Sequence, residues 1–175
     1  MGRAATEALV VLARVRAGAA DAARDAIKAR WCAADSPFSR VPGTHLGRLQ
    51  VLRPPERRRR AGRRATQDYV LLAADLDAPL GPWLEALRAA AAEELDAVLR
   101  HCAFYPGTDE PAVFARWVAA NRLAVGFSVI GSPDATLAEV SDALALREEL
   151  ASFAQETQLL EPAELRAAWR AWRNA

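Results

Sequence analysis

The sequence predicts a mixed α+β domain. Short runs rich in β-branched residues alternate with stretches whose apolar residues recur every three or four positions, the two periods of strand and helix. Proline and glycine punctuate the boundaries between them. Two of the strand-like runs are apolar on both alternating faces, the pattern of strands covered on both sides.

The first strand spans 7–16 (EALVVLARVR). Leu9, Val11, Ala13 and Val15 share one face, and Ala8, Val10 and Leu12 the other. Gly18 breaks the run, and Asp21 is placed to cap a helix. Ala23, Ile27 and Trp31 form the stripe of that helix, which runs to about Ala34. Ser36, Pro37, Pro42 and Gly43 mark a loop before a second strand, 44–52, which stops at Pro54-Pro55. The third strand, 68–76, repeats the doubly apolar pattern in Tyr69, Val70, Leu71 and Leu72. The arginine-rich connection 53–67 makes the two a hairpin with a long tip.

Pro79 and Pro82 open a long helix with the stripe Trp83, Leu87, Ala91, Leu95, Val98 and Cys102, ending at Tyr105-Pro106-Gly107. A short helix over 111–122 carries Phe114, Trp117 and Val118. A fourth strand is expected at 125–130. Thr136 and Glu139 have capping-box spacing and open a helix to about Glu156. A last amphipathic helix begins near Pro162, with Leu165, Trp169 and Trp172 on one side. The order is β-α-β-β-α-(α)-β-α-α, and its first six main elements follow the ferredoxin-like βαββαβ pattern. The whole chain, 1–175, reads as one domain, with its core over about 7–150 and a helical C-terminal extension over 151–175.

Composition narrows the function classes. Of 175 residues, 52% are apolar, enough for a sizeable core. The net charge is +1, but residues 53–64 hold seven arginines against one glutamate. The rest is therefore mildly acidic, which makes nucleic acid an improbable partner. The arginine segment lacks interleaved aromatics, so a single-strand stacking platform is disfavoured; a solvated hairpin tip is the plainer reading. Cys32 and Cys102 stand apart with no CxxC, so neither a disulfide framework nor a zinc site is expected, and both thiols read as buried. Alanine is abundant and Lys28 is the only lysine, the mark of GC-rich bacterial coding. With no signal-peptide pattern and no apolar stretch of spanning length, the expectation is a soluble cytoplasmic protein without a membrane partner.

In a ferredoxin-like fold, helices cover one sheet face only. Strands apolar on both faces therefore ask for a second cover, most economically the sheet of a second copy, with a cavity trapped between. On this element order and strand character, over roughly residues 7–150, the chain resembles the dimeric α+β barrel superfamily. The segments SPFSRVPGTHLGRLQVL (36–52) and HCAFYPG (101–107) are similar to bacterial proteins of that fold. The resemblance implies a homodimer. It also implies one of several activities: cofactor-free monooxygenases, polyketide cyclases and isomerase-like enzymes belong to the superfamily, as does a haem branch. The long arginine loop, the extra helix at 111–122 and the C-terminal tail depart from its smallest members.

Four residues are candidates for catalysis. His45 and His101 titrate near neutrality and sit at element ends, where a general base at a cavity mouth would stand. Arg48 points into the cavity if Leu49 and Val51 pack on the helices, and a guanidinium there holds a carboxylate or enolate oxygen. In that case strand alternation turns His45 away, unless a bulge near Gly47 brings both to one side. Tyr105 would place a phenol beside His101. Each has a plainer role: strand edge, helix C-terminus, interface ion pair and packed turn residue. Asp75 and Asp77 alone are weak metal ligands, so no metal site is expected. The leading expectation is a small-molecule enzyme of bacterial secondary metabolism. It acts on an apolar substrate by His-assisted proton abstraction, without a cofactor. Haem-dependent chemistry with His45 or His101 as axial ligand is one alternative. A non-catalytic dimeric binding or accessory module, docking through the arginine loop, is the other.

Overall fold

The computed structural model describes residues 6–32, 36–53, 67–77, 79–126 and 135–174. The chain divides into two compact units, Met1–Thr136 and Leu137–Ala175. The first holds strands β1 (Thr6–Arg14), β2 (Thr44–Leu52) and β3 (Tyr69–Asp77) with helices α1 (Ala20–Trp31), α2 (Leu80–Leu99) and α3 (Pro111–Asn121). The second holds α4 (Leu137–Thr157) and α5 (Pro162–Arg173). The class is mixed α+β, with a three-stranded antiparallel sheet in the order β1-β3-β2. No helix among the described residues is long and apolar enough to cross a membrane.

Strand alternation divides the sheet into two faces. Leu9, Val11 and Ala13 of β1 and Val70, Leu72, Ala74 and Leu76 of β3 are buried. They share one core with the apolar stripes of α1 and α2. The α2 stripe is the one its spacing predicts: Trp83, Leu87, Ala91, Leu95 and Val98 are all buried, and Cys102 continues it past the helix end. The helix is interrupted at Ala91, whose φ of −142° and ψ of 31° leave the helical region. Its first turn is capped from the sheet, where the Glu7 carboxylate accepts from Leu80 N–H at 3.0 Å.

Several local expectations change. Asp21 does not cap α1: Ala19 occupies that position, and Asp21 lies in the first turn, where it pairs with Arg24. A carboxylate there still suits the positive helix end. The loop before β2 contains a 3₁₀ turn, Pro37–Arg40, entered through Ser36, whose side chain accepts from Phe38 N–H. Cys102 is buried as expected, but Cys32, which follows the last residue of α1, is exposed.

The chain after α2 returns twice to the outer edge of β1. Cys102 bridges Val15, and Arg122 bridges Val11, both antiparallel. Between the two contacts the chain makes the excursion that contains α3. Leu123 N–H donates to Val10 C=O at 2.8 Å. The fourth strand expected at 125–130 falls outside the described residues after Gly126, as does the arginine segment from 54 to 66. At the base of that segment Arg53 Nε donates to Asp68 at 3.2 Å.

Candidate active site on the open sheet face

The face of the sheet turned away from α1 and α2 carries the alternate residues. From β1 these are Ala8, Val10 and Leu12, all half-buried. From β3 they are Tyr69, Leu71, Ala73 and Asp75. Arg48 pairs with Ala73 and Gln50 with Leu71, which puts Arg48 and Gln50 on this same face, while Leu49 and Val51 pack against the core. A hollow of about 280 Å³ lies on the face. Val10, Leu71 and Ala73 floor it, and Leu46, Arg48 and Asp75 border it. Its walls are mainly apolar, with one cation and one carboxylate set into them.

His45 reaches this side through a bulge. Thr44 pairs with Leu76 and Leu46 with Asp75, so His45 is the extra residue of β2. The bulge lies two residues before Gly47, and it breaks the strict alternation that would have separated His45 from Arg48. Thr44 anchors it from the core side, accepting from Trp83 Nε1 at 2.9 Å and donating to Val41 C=O at 2.7 Å. The His45 Nε2 atom stands 2.7 Å from Asp77 Oδ1, with both side chains largely shielded from solvent. Asp77 is fixed in turn by the Pro42-Gly43 turn, where Asp77 N–H donates to Gly43 C=O at 2.8 Å. Gly43 has φ of +75°, and a Cβ there would come within 3.0 Å of Asp77 Oδ2. Only glycine gives the carboxylate this room.

A carboxylate on Nε2 fixes the imidazole ring and leaves Nδ1 as the remaining nitrogen for proton transfer. As arranged, His45 does not fit an axial haem ligand through Nε2, because Asp77 holds that atom. Asp77, which the sequence offers only as a weak metal ligand beside Asp75, is instead the partner of His45. Among the described residues no three His, Cys, Asp or Glu side chains converge as a metal site.

His101 and Tyr105 lie at the other end of the sheet. His101 C=O accepts from Arg16 N–H just past the end of β1, whereas His45 sits where β1 begins. The eight residue-to-residue steps from Tyr69 to Asp77 separate these ends by about 27 Å. Partial burial, with Arg16 and Arg100 nearby, holds His101 below the usual imidazole range. The Tyr105 hydroxyl donates to Asp96 Oδ1 at 2.6 Å, and its ring meets Phe114 and Trp117 edge-on. Burial, and then this hydrogen bond, push its phenol well above the ordinary range. Thr108 completes the network, donating to Asp96 Oδ2 at 3.0 Å. The structure thus brings His45 and Arg48 to one face and places His101 and Tyr105 away from it.

Comparison with family models, with curated proteins and with solved structures gave no match to this chain.

Proposed function

We propose that the chain is a homodimeric α+β barrel enzyme that removes a proton from a small, largely apolar substrate, with His45 as the base. The observation that carries this reading is the His45–Asp77 pair, set by a bulge at the rim of an apolar sheet face that also bears Arg48. Asp77 orients the ring and stabilises the imidazolium that forms when Nδ1 accepts the proton. Arg48 is the group to meet the negative charge that develops on the substrate oxygen. The resulting enolate then rearranges, cyclises or reacts with dioxygen.

The same face supports the dimer. Val10, Leu12, Leu71 and Ala73 form an apolar surface that the sheet of a second copy would cover, closing the hollow from water. The β1-β3-β2 order supports a ferredoxin-like unit, and the bridges from Cys102 and Arg122 lie on the side of β1 where its fourth strand would stand.

The test is deuterium exchange at the activated carbon of 2-tetralone, a small apolar carbon acid, followed by NMR at neutral pD. The wild type should accelerate exchange over buffer. His45→Ala should remove the acceleration, and Asp77→Asn should lower it by about 10²-fold, the low end of a general base's contribution. Exchange no faster than buffer with the wild type, or unchanged by His45→Ala, refutes the assignment.

A further inference from the structure

The second unit is two helices with almost no interior of their own. Thr157 is the one buried residue of α4, and α5 has none. Phe153 of α4 meets Trp169 and Trp172 of α5, with centroids 5.7 and 5.6 Å apart, and the two tryptophans stack at 5.2 Å. Beside this small cluster, Leu146 and Leu150 of α4 are 54% and 42% exposed, and Leu165 and Trp169 of α5 are 39% and 41% exposed. Both sets recur at helical spacing and form stripes. Together they leave on the order of 300 Å² of apolar surface per chain, a little over a third of the ~800 Å² that each partner of a standard interface contributes, the charged flanks supplying the rest.

Charge is segregated between the two helices. α4 carries five carboxylates against Arg147, and α5 carries Arg166, Arg170 and Arg173 against Glu164. Glu148, Glu149 and Glu156 border a groove of about 410 Å³ whose walls include the Phe153 and Trp172 rings. None of these three glutamates, and none of the three α5 arginines, has a salt-bridge partner among the described residues.

We propose that the α4–α5 hairpin pairs with the hairpin of a second copy, α4 of each chain lying against α5 of the other. This contact is separate from the sheet-face pairing above and does not rest on it. The surface is self-complementary, as a two-fold interface requires. In that arrangement acidic α4 faces basic α5 twice, and the exposed leucines and Trp169 form the seam of a four-helix bundle. The glutamate-lined groove receives an arginine of the partner's α5, whose guanidinium gains carboxylate partners and an aromatic face.

The test is sedimentation equilibrium of the full chain carrying Leu71→Arg, which charges the open sheet face and removes that route to pairing. Particles of two chains are expected. Either E148R/E149R/E156R or R166E/R170E/R173E, added to that background, should weaken association at least 100-fold and give single chains. An equimolar mixture of the two variants should recover two-chain particles, because each then offers the charges the other lacks. Single chains in the parent, two-chain particles in either variant, or a mixture that stays monomeric overturns the proposal. Should Leu71→Arg fail to fold, the wild-type sheet face is kept and a spin label is placed at Ala167→Cys with Cys32→Ser. A defined inter-chain distance that both charge variants abolish supports the pairing; its absence, or its persistence in the variants, overturns it.

Discussion

Replacing Gly47 by alanine should unfold much of the first unit's margin of stability. A Cβ on Gly47 would stand 2.3 Å from Cγ of Phe38 and 2.4 Å from Cδ2. Carbon atoms in contact prefer about 3.5–4.0 Å, so the overlap exceeds ~1 Å. The neighbour has little room to give, because the Phe38 ring is buried and meets Trp31 edge-on at 5.0 Å. The methyl is accommodated only if the ring leaves its site. Losing a buried phenyl costs about 3–5 kcal/mol. Restricting the unfolded chain returns about 0.4–1 kcal/mol. The net loss is therefore about 2–4 kcal/mol. Urea unfolding followed by circular dichroism reads it as a lower midpoint, by roughly 1–4 M for a slope of ~1–2 kcal/mol/M. The control is Phe38→Ala, which removes the ring. In that background Gly47→Ala should be neutral or stabilise by up to about 1 kcal/mol, since only the unfolded-chain effect remains. A loss below ~1 kcal/mol in the wild type, or equal losses in both backgrounds, refutes the steric argument.

Gly43→Ala should cost about 1–2 kcal/mol for the left-handed backbone alone, and should displace Asp77, seen as loss of the hydrogen-bonded His45 Nε2–H proton signal by NMR. For Tyr105, the phenol is raised in the folded state, so its contribution to stability is complete below the unfolded value of about 10 and is lost as pH rises beyond it. Chemical denaturation between pH 8 and 11.5 should show that decline, and Tyr105→Phe should reduce it. His101 has the opposite sign: its value is lowered, so stability falls as pH drops through and below about 6.5, and His101→Gln should flatten that acid limb. An aromatic disulfide reagent at pH 8 should label Cys32 quickly and Cys102 only on unfolding, because burial pushes the Cys102 thiol up to about 12.

What was legible in the sequence was what repeats with a period. The span of β2 and the buried stripe of α2 follow from alternation and from helical spacing, since both depend on residues close in the chain. Alternation groups Arg48 with Gln50, but which side of β2 they occupy is open in the sequence and is decided only by Leu49 and Val51 packing on the core. The His45–Asp77 pair was not. It joins residues 32 apart across a hairpin whose connection is too long to fix register, and it depends on a bulge that no residue type announces. The one faint signal was the Pro42-Gly43 turn beside it. Asp96, which gathers Tyr105 and Thr108, was hidden in the same way, because the α2 stripe drew attention to its apolar neighbours.

The double return of the chain to β1 bears on how the protein avoids aggregation. An open strand edge is a template on which another chain can add its own strand. Here the outer edge of β1 is engaged at Val10, Arg14 and Arg16 by Leu123, Ala103 and His101, and α3 packs on the same strand. An intruding strand would have to displace contacts at the middle and at the C-terminal end of that edge before it could pair along it. The excursion that looks like an ornament on the three-stranded sheet thus acts as a clamp against templated growth. At the opposite border of the sheet, β2 carries its own deterrent in the Arg48 charge and in the bulge at His45, which spoils the straight, flat edge that such growth requires.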